Sequence, residues 1–223
     1  MFPHWTDRIG ILGKCPLRDT EYTVMTDRIV AGTYLLAAAG SGGEIELFDV
    51  AEQHIHCLLH LCEAMGCEVR MTDRGIFLKS ARRLFAIEDI HTQPFPGFPT
   101  DMQSQLMAVL TTARGETTIY EHIFENRFRT AEELRKMGAD IQIKNNRAVI
   151  CGVGKLKGCH VSARDLRGGA ALIIAGLMAE GDTIVENSIF VERGYQDICK
   201  DLTQLGAEIR HCRDTREGEI IGK

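Results

Sequence analysis

The sequence predicts an α/β domain built from one unit repeated three times, each unit a helix, a strand, a second helix and two further strands. Three sets of landmarks carry the prediction. Aspartates that open an apolar helical stretch stand at Asp27, Asp101 and Asp165, separated by 74 and 64 positions. Glycines that precede a strand stand at Gly43, Gly115 and Gly181, separated by 72 and 66. Glycines that end the second helix stand at Gly66, Gly138 and Gly206, separated by 72 and 68. The segments around the last set are near copies: Met-Gly-Cys-Glu-Val, Met-Gly-Ala-Asp-Ile and Leu-Gly-Ala-Glu-Ile. A three-fold array of such units buries one helix from each at its centre and leaves the sheets outside, an inside-out, barrel-like arrangement.

Residues 1–25 form a lead-in, with short strands expected at 9–12 and 22–25 around a turn at 14–20. This stretch is too short to bury a core and reads as the remnant of a preceding domain, or as strands that pair with a neighbour. The repeats are placed at about 26–90, 98–158 and 160–212. In the first, Asp27 is the expected N-cap of a helix over 29–39. The Gly-Ser-Gly-Gly run at 40–43 stops it, and 44–48 alternates as a half-buried strand. Ile55, Leu58, Leu59, Cys62 and Met65 give the next helix its apolar stripe, before strands at 67–70 and 75–78. In the second, a helix over 102–112 leads to a strand at 117–120. Thr130 and Glu133 then have capping-box spacing, and strands follow at 140–143 and 147–151 around Asn145-Asn146. In the third, the helix from Asp165 is apolar nearly all round over 170–178, so it belongs at the centre. A strand at 183–186, a helix over 195–205 and a strand at 207–211 complete it. The tail from 213 is polar, with a short strand at 219–221.

Composition narrows the function classes. The chain has 223 residues, 44% hydrophobic and 26% charged, the balance of a globular domain. A net charge of −5 argues against bulk binding of nucleic acid. No apolar run approaches the roughly 20 residues of a membrane helix, and residues 1–10 lack a signal pattern, so a cytoplasmic setting is expected. The eight cysteines include no Cys-x-x-Cys pair. Cys57, Cys62 and Cys67 are spaced by five, about 140° apart per step on a helix. They read as reduced, mostly buried thiols rather than zinc ligands. His56 and His60 share a helical face without a third ligand and read as solvated. Neither a metal nor a cofactor is expected.

Two groups of residues point to chemistry. Asp101 follows Phe-Pro-Gly-Phe-Pro-Thr, a rigid loop to maintain for a cap alone. A carboxylate there can take a proton from a hydroxyl, the task of a general base. Asp27, in contrast, reads as a cap. Arg28, Arg127, Arg167 and Arg193 each stand at the same end of a repeat, beside a helix start or after a strand. Helix N-termini and arginine forks both attract phosphate and carboxylate. The alternative is a set of surface arginines in weak ion pairs.

Phe98-Pro-Thr-Asp-Met-Gln, Phe124-Glu-Asn-Arg-Phe, Asp165-Leu-Arg and Glu192-Arg-Gly-Tyr, in this order, resemble the UDP-N-acetylglucosamine enolpyruvyl transferases (1-carboxyvinyltransferases). The resemblance runs from about Ile9 to about Arg210. It implies transfer of the enolpyruvyl group of phosphoenolpyruvate to the 3′-hydroxyl of UDP-N-acetylglucosamine with release of phosphate, the first committed step of peptidoglycan synthesis. It also implies two inside-out α/β domains with the site between them. Carried over by motif, Asp101 is the base and a sugar-nucleotide ligand, and Ile123 is a second sugar-nucleotide contact. Arg167 and Arg193 bind phosphoenolpyruvate, with Arg127 in support; Arg28 is a candidate on position alone. Phe190 stands where the family usually has His, Glu192 where Asp is common and Gly168 where Ala is common. No residue matches the first domain's Lys-Asn pair or its acid-bearing loop, and the surroundings of Cys15 match that domain's last strands instead. The expectation is one half of an active site, inactive alone, whose partners are the two substrates and a complementary N-terminal domain or a second copy. Two alternatives stand beside it: an enolpyruvylshikimate-phosphate synthase-like transferase, and a non-catalytic module that binds a nucleotide sugar or a partner.

Overall fold

The computed structural model describes residues 10–13 and 16–212. The first repeat follows the expected order: α1 (Arg28–Ser41), β1 (Glu44–Phe48), α2 (Glu52–Ala64), β2 (Glu68–Met71) and β3 (Gly75–Lys79). Asp27 caps α1, accepting the amide of Ile29 at 2.7 Å and that of Val30 at 3.3 Å. At the other end Gly42, within the Gly-Ser-Gly-Gly run expected to stop the helix, takes the left-handed conformation (φ 80°) that closes it. β3 lies between β1 and β2 in an antiparallel sheet.

The second repeat is preceded by β4 (Asp89–His91) and a 3-10 turn at Thr100–Met102, then runs through α3 (Gln103–Leu110) and β5 (Glu116–Tyr120). A 3-10 turn at Arg127–Arg129 opens directly into α4 (Thr130–Lys136), followed by β6 (Asp140–Lys144) and β7 (Arg147–Cys151). The sheet order is β4-β5-β7-β6, with β4 parallel to β5 and the other pairs antiparallel. The capping box does not form. The 3-10 turn puts Thr130 inside the helix, and no side chain caps α4. Glu133 instead reaches across to accept the Ser162 amide at 3.0 Å.

The third repeat contains β8 (Leu156–Lys157), β9 (His160–Ser162), α5 (Leu166–Met178), β10 (Ala179–Glu180), β11 (Ile184–Glu186), α6 (Ile189–Glu192) and α7 (Ile198–Gln204). β9 pairs in parallel with β11, as β4 does with β5, so each of these repeats borrows a strand from the chain before its first helix. The helix expected over 195–205 starts only at Ile198, because the Asp197 carboxylate caps it by accepting the Lys200 amide at 2.9 Å. Residues 207–211 are not a strand; no strand among the described residues pairs with them, and 213–223 lie outside those described. The strands expected at 9–12 and 22–25 are also absent from the described residues. Ile11, Leu12, Leu17, Tyr22 and Val24 are exposed there, with no sheet edge to pair with and no face to cover. Ile9 and Cys15 lie outside the described residues.

At the centre α1, α3 and α5 pack against one another. Gly32, in the first half of α1, faces Met102 at the start of α3, whereas Gly40 faces Val109 and Met178 at the ends of α3 and α5. The three helices therefore run in the same direction, and their positive N-terminal ends gather at one pole. All eight residues of α3 are buried, including Gln103, Ser104 and Gln105. Gln105 Nε2 donates to Thr33 Oγ1 at 3.3 Å, and that hydroxyl pairs with the Tyr195 hydroxyl at 2.8 Å. Gly66, Gly138 and Gly206 all have φ between 93° and 98°, a left-handed geometry that explains the glycine landmark in each repeat.

Candidate functional site

The N-terminal pole of the helix trio carries the site. Pro99 is extended, and the turn it starts at Thr100 places Asp101 in a 3-10 turn rather than at a cap position. Asp27 and Asp165 both spend their carboxylates on helix amides. That of Asp101 is left free for other partners, and two arginines take it. Arg127 Nη2 donates to Oδ1 at 2.5 Å and Arg167 Nη2 to Oδ2 at 3.2 Å. These are charge-assisted bonds, one to each oxygen. The Arg127 and Arg167 side chains are 9% and 16% exposed, while that of Asp101 is 43% exposed. Arg127 is fixed further by donating from Nε to the Thr100 carbonyl at 3.2 Å and by lying 4.9 Å over the Phe124 ring.

A cavity of about 330 Å³ opens beside this cluster, lined by Asp101, Arg127, Arg164, Arg167, Arg193 and Phe190 among others. Arg193 follows α6 in the Glu-Arg-Gly-Tyr segment. A Cβ on Gly194 would stand 2.7 Å from Leu166 Cδ2, so the segment lies close against the start of α5 and a larger residue there would require the Leu166 side chain to shift. Tyr195, 3% exposed, anchors it to Thr33. Among the described residues Arg193 forms no ion pair with a carboxylate, unlike its three arginine neighbours. Phe190 lines the cavity at the position where the resemblance leads one to expect a histidine.

The structure thus brings Asp101, Arg127, Arg167 and Arg193 together. Ile123 is 48% exposed on the segment after β5, outside the cavity lining. It neighbours Phe124, which underlies Arg127. Arg28 sits at the same pole but outside the cavity, 4.8 Å over the Phe95 ring. Arg164 was not expected. It lines the cavity and is held by Glu132 at 2.9 Å and Glu133 at 3.4 Å. Its only sequence signal was its place beside Asp165, three residues before Arg167.

Among the described residues no three His, Cys, Asp or Glu side chains stand close enough to hold a metal ion. Cys67 lies past the end of α2, so helical spacing does not govern it, and the chain's turn at Gly66 brings it to Cys62. A shared hydrogen bond pushes the Cys62 thiol well up and the Cys67 thiol down. No helix among the described residues is long and apolar enough to cross a membrane.

The chain is similar to known proteins in sequence and in fold. The family model for EPSP synthase (3-phosphoshikimate 1-carboxyvinyltransferase) matches residues 4–215. UDP-N-acetylglucosamine 1-carboxyvinyltransferase 2 of Caldanaerobacter subterraneus subsp. tengcongensis is 47% identical over 204 residues, covering 92% of this chain and 49% of that protein. A UDP-N-acetylglucosamine 1-carboxyvinyltransferase of Desulfofundulus thermocisternus is 46% identical over 201 residues, 90% of this chain and 81% of that one. The enolpyruvyl transferase NikO from Streptomyces tendae superimposes with a TM-score of 0.70 at 26% identity, covering 85% of this chain and 45% of NikO. An EPSP synthase of Acinetobacter baumannii, at 18% identity and a TM-score of 0.67, shares the fold over 81% of this chain and 46% of its own. The chain spans about half the length of most of the curated relatives it matches.

Proposed function

The chain belongs to the EPSP synthase (3-phosphoshikimate 1-carboxyvinyltransferase) family, and from that membership we propose that it forms one wall of the site of a UDP-N-acetylglucosamine 1-carboxyvinyltransferase. The observation that carries this reading is Asp101 held between Arg127 and Arg167 beside an Arg193 with no carboxylate partner among the described residues. Phosphoenolpyruvate brings a phosphate and a carboxylate, the two groups that arginine forks grip. Arg193 takes one of these anions directly. Arg167 takes the other by turning from Asp101, and the released carboxylate accepts the proton of the sugar 3′-hydroxyl as the new C–O bond forms. The fixed guanidinium groups then stabilise the charge that builds on the departing phosphate. Ile123 and the adjoining backbone present an exposed ledge to the nucleotide sugar.

In this reading residues 26–212 are the domain, and 1–25 are the remnant of a preceding one. The opposite wall comes from a complementary N-terminal domain, without which the chain forms no enolpyruvyl product. The exposed apolar side chains of Ile11, Leu12, Leu17, Tyr22 and Val24 suit burial against such a partner. A cytoplasmic setting goes with it, since seven cysteines among the described residues are free thiols. The sugar nucleotide is favoured over shikimate phosphate by the Phe-Pro-Thr-Asp-Met and Phe-Glu-Asn-Arg-Phe segments and by the names of the relatives near 45% identity.

Calorimetric titration of the purified chain with UDP-N-acetylglucosamine, with and without phosphoenolpyruvate, tests the reading. Binding is expected for the wild type and not for Asp101→Ala. Equal heats from the two proteins would remove Asp101 from the ligand surface.

A further inference from the structure

Glu121 follows β5 and is only 4% exposed, yet among the described residues no cation pairs with its carboxylate. Four neutral donors do. Oε1 accepts the Thr92 hydroxyl at 2.7 Å and the amides of Ile123 at 2.8 Å and Phe124 at 3.0 Å. Oε2 accepts the Thr100 hydroxyl at 2.8 Å. The backbone of Glu121 is pinned as well: its amide donates to the Asn146 carbonyl at 2.8 Å, and its own carbonyl accepts from Asn146 Nδ2 at 3.3 Å. One buried side chain thus gathers the end of β4, the 3-10 turn that bears Asp101 and the ledge that bears Ile123.

A buried carboxylate with no cation is costly, and an apolar side chain would pack there at less cost. What the carboxylate adds is geometry. Thr100 precedes Asp101 directly, and Phe124 carries the ring beneath Arg127, the tighter of the two partners of Asp101. Both routes out of Glu121 therefore end at the same carboxylate. We propose that Glu121 is a positioning residue that fixes Asp101 and the Ile123 ledge at one mutual distance, so that the sugar nucleotide meets both together. The proposal rests on the function proposed above.

Three variants of the full chain test it, each with its thermal midpoint measured. Glu121→Gln keeps an oxygen for the three donors at Oε1 and lets the Thr100 hydroxyl turn to accept from the new amide. Thr100→Val cuts the link to the Asp101 turn alone, and Glu121→Ala removes all of it. The expected result is that Thr100→Val lowers affinity for UDP-N-acetylglucosamine about tenfold while Gln stays within roughly threefold of wild type. In the ligand-free chain Thr100→Val should speed hydrogen exchange of the Ile123 and Phe124 amides about fivefold or more, though they lie more than twenty residues away in sequence. Unchanged exchange in Thr100→Val, or Gln as damaging as Ala, overturns the proposal. If Glu121→Ala does not fold, the other two variants still decide it. A wild-type chain that takes up no UDP-N-acetylglucosamine counts against the proposed function alone, and the exchange comparison then decides this inference by itself.

Discussion

Asp27 and Asp101 occupy matching places in two repeats, and their surroundings give them different tasks. Asp27 accepts two helix amides, the ordinary contribution of an N-cap, about 1 kcal/mol. Asp101 accepts none, because the chain enters α3 through a 3-10 turn, and its two oxygens go to Arg127 and Arg167. Asp27→Ala is therefore expected to lower unfolding stability by about 1 kcal/mol in urea and to leave sugar-nucleotide affinity unchanged. A loss of affinity in that variant would mean that the Asp27 carboxylate itself serves the site. The sequence separated these two aspartates through the Pro-rich loop before Asp101. It did not reveal Arg164 or Glu121, whose partners are brought to them by other segments. Nor did it show that Arg28 turns to Phe95 instead of joining the other arginines.

At the scale of elements, Glu133 ties α4 to β9. Burial pushes its carboxyl pKa up, but Lys136 at 2.7 Å, the Ser162 amide and Arg164 outweigh this and hold it below the usual carboxylate range. A carboxyl depressed in the folded state stabilises the fold above its unfolded pKa, near pH 4.3. That stability is lost as the pH falls through the lower, folded value. The thermal midpoint of the wild type should thus fall more steeply below about pH 4 than that of Glu133→Gln, which starts lower at pH 7. Parallel curves for the two proteins would deny Glu133 this role. Capping-box spacing had marked Glu133 as important for a different reason, and the 3-10 turn at Arg127–Arg129 is why the box fails. Long periodic elements such as α1, α2 and α5 were legible because an apolar stripe and a terminal glycine recur with each repeat. β4, β8, β9 and β10, of two or three residues each, have too little alternation to register, and their pairing is set by distant strands.

The whole molecule places three parallel helices at the centre, so their N-terminal ends, the four cavity arginines Arg127, Arg164, Arg167 and Arg193, and Asp101 share one pole. Repeat arithmetic reached the central trio. It could not reach the direction of the helices, which depends on packing partners such as Met102 and Met178. The relatives near twice this length fit the proposal that this pole is one wall of a cleft. The most direct measurement is phosphate release from phosphoenolpyruvate and UDP-N-acetylglucosamine by this chain mixed with the separately purified N-terminal half of a relative. The account predicts no release by either piece alone, release by the mixture, and loss of at least about a hundredfold when the chain carries Asp101→Asn. Release by the mixture at an undiminished rate with Asp101→Asn, or by the chain alone, would contradict it.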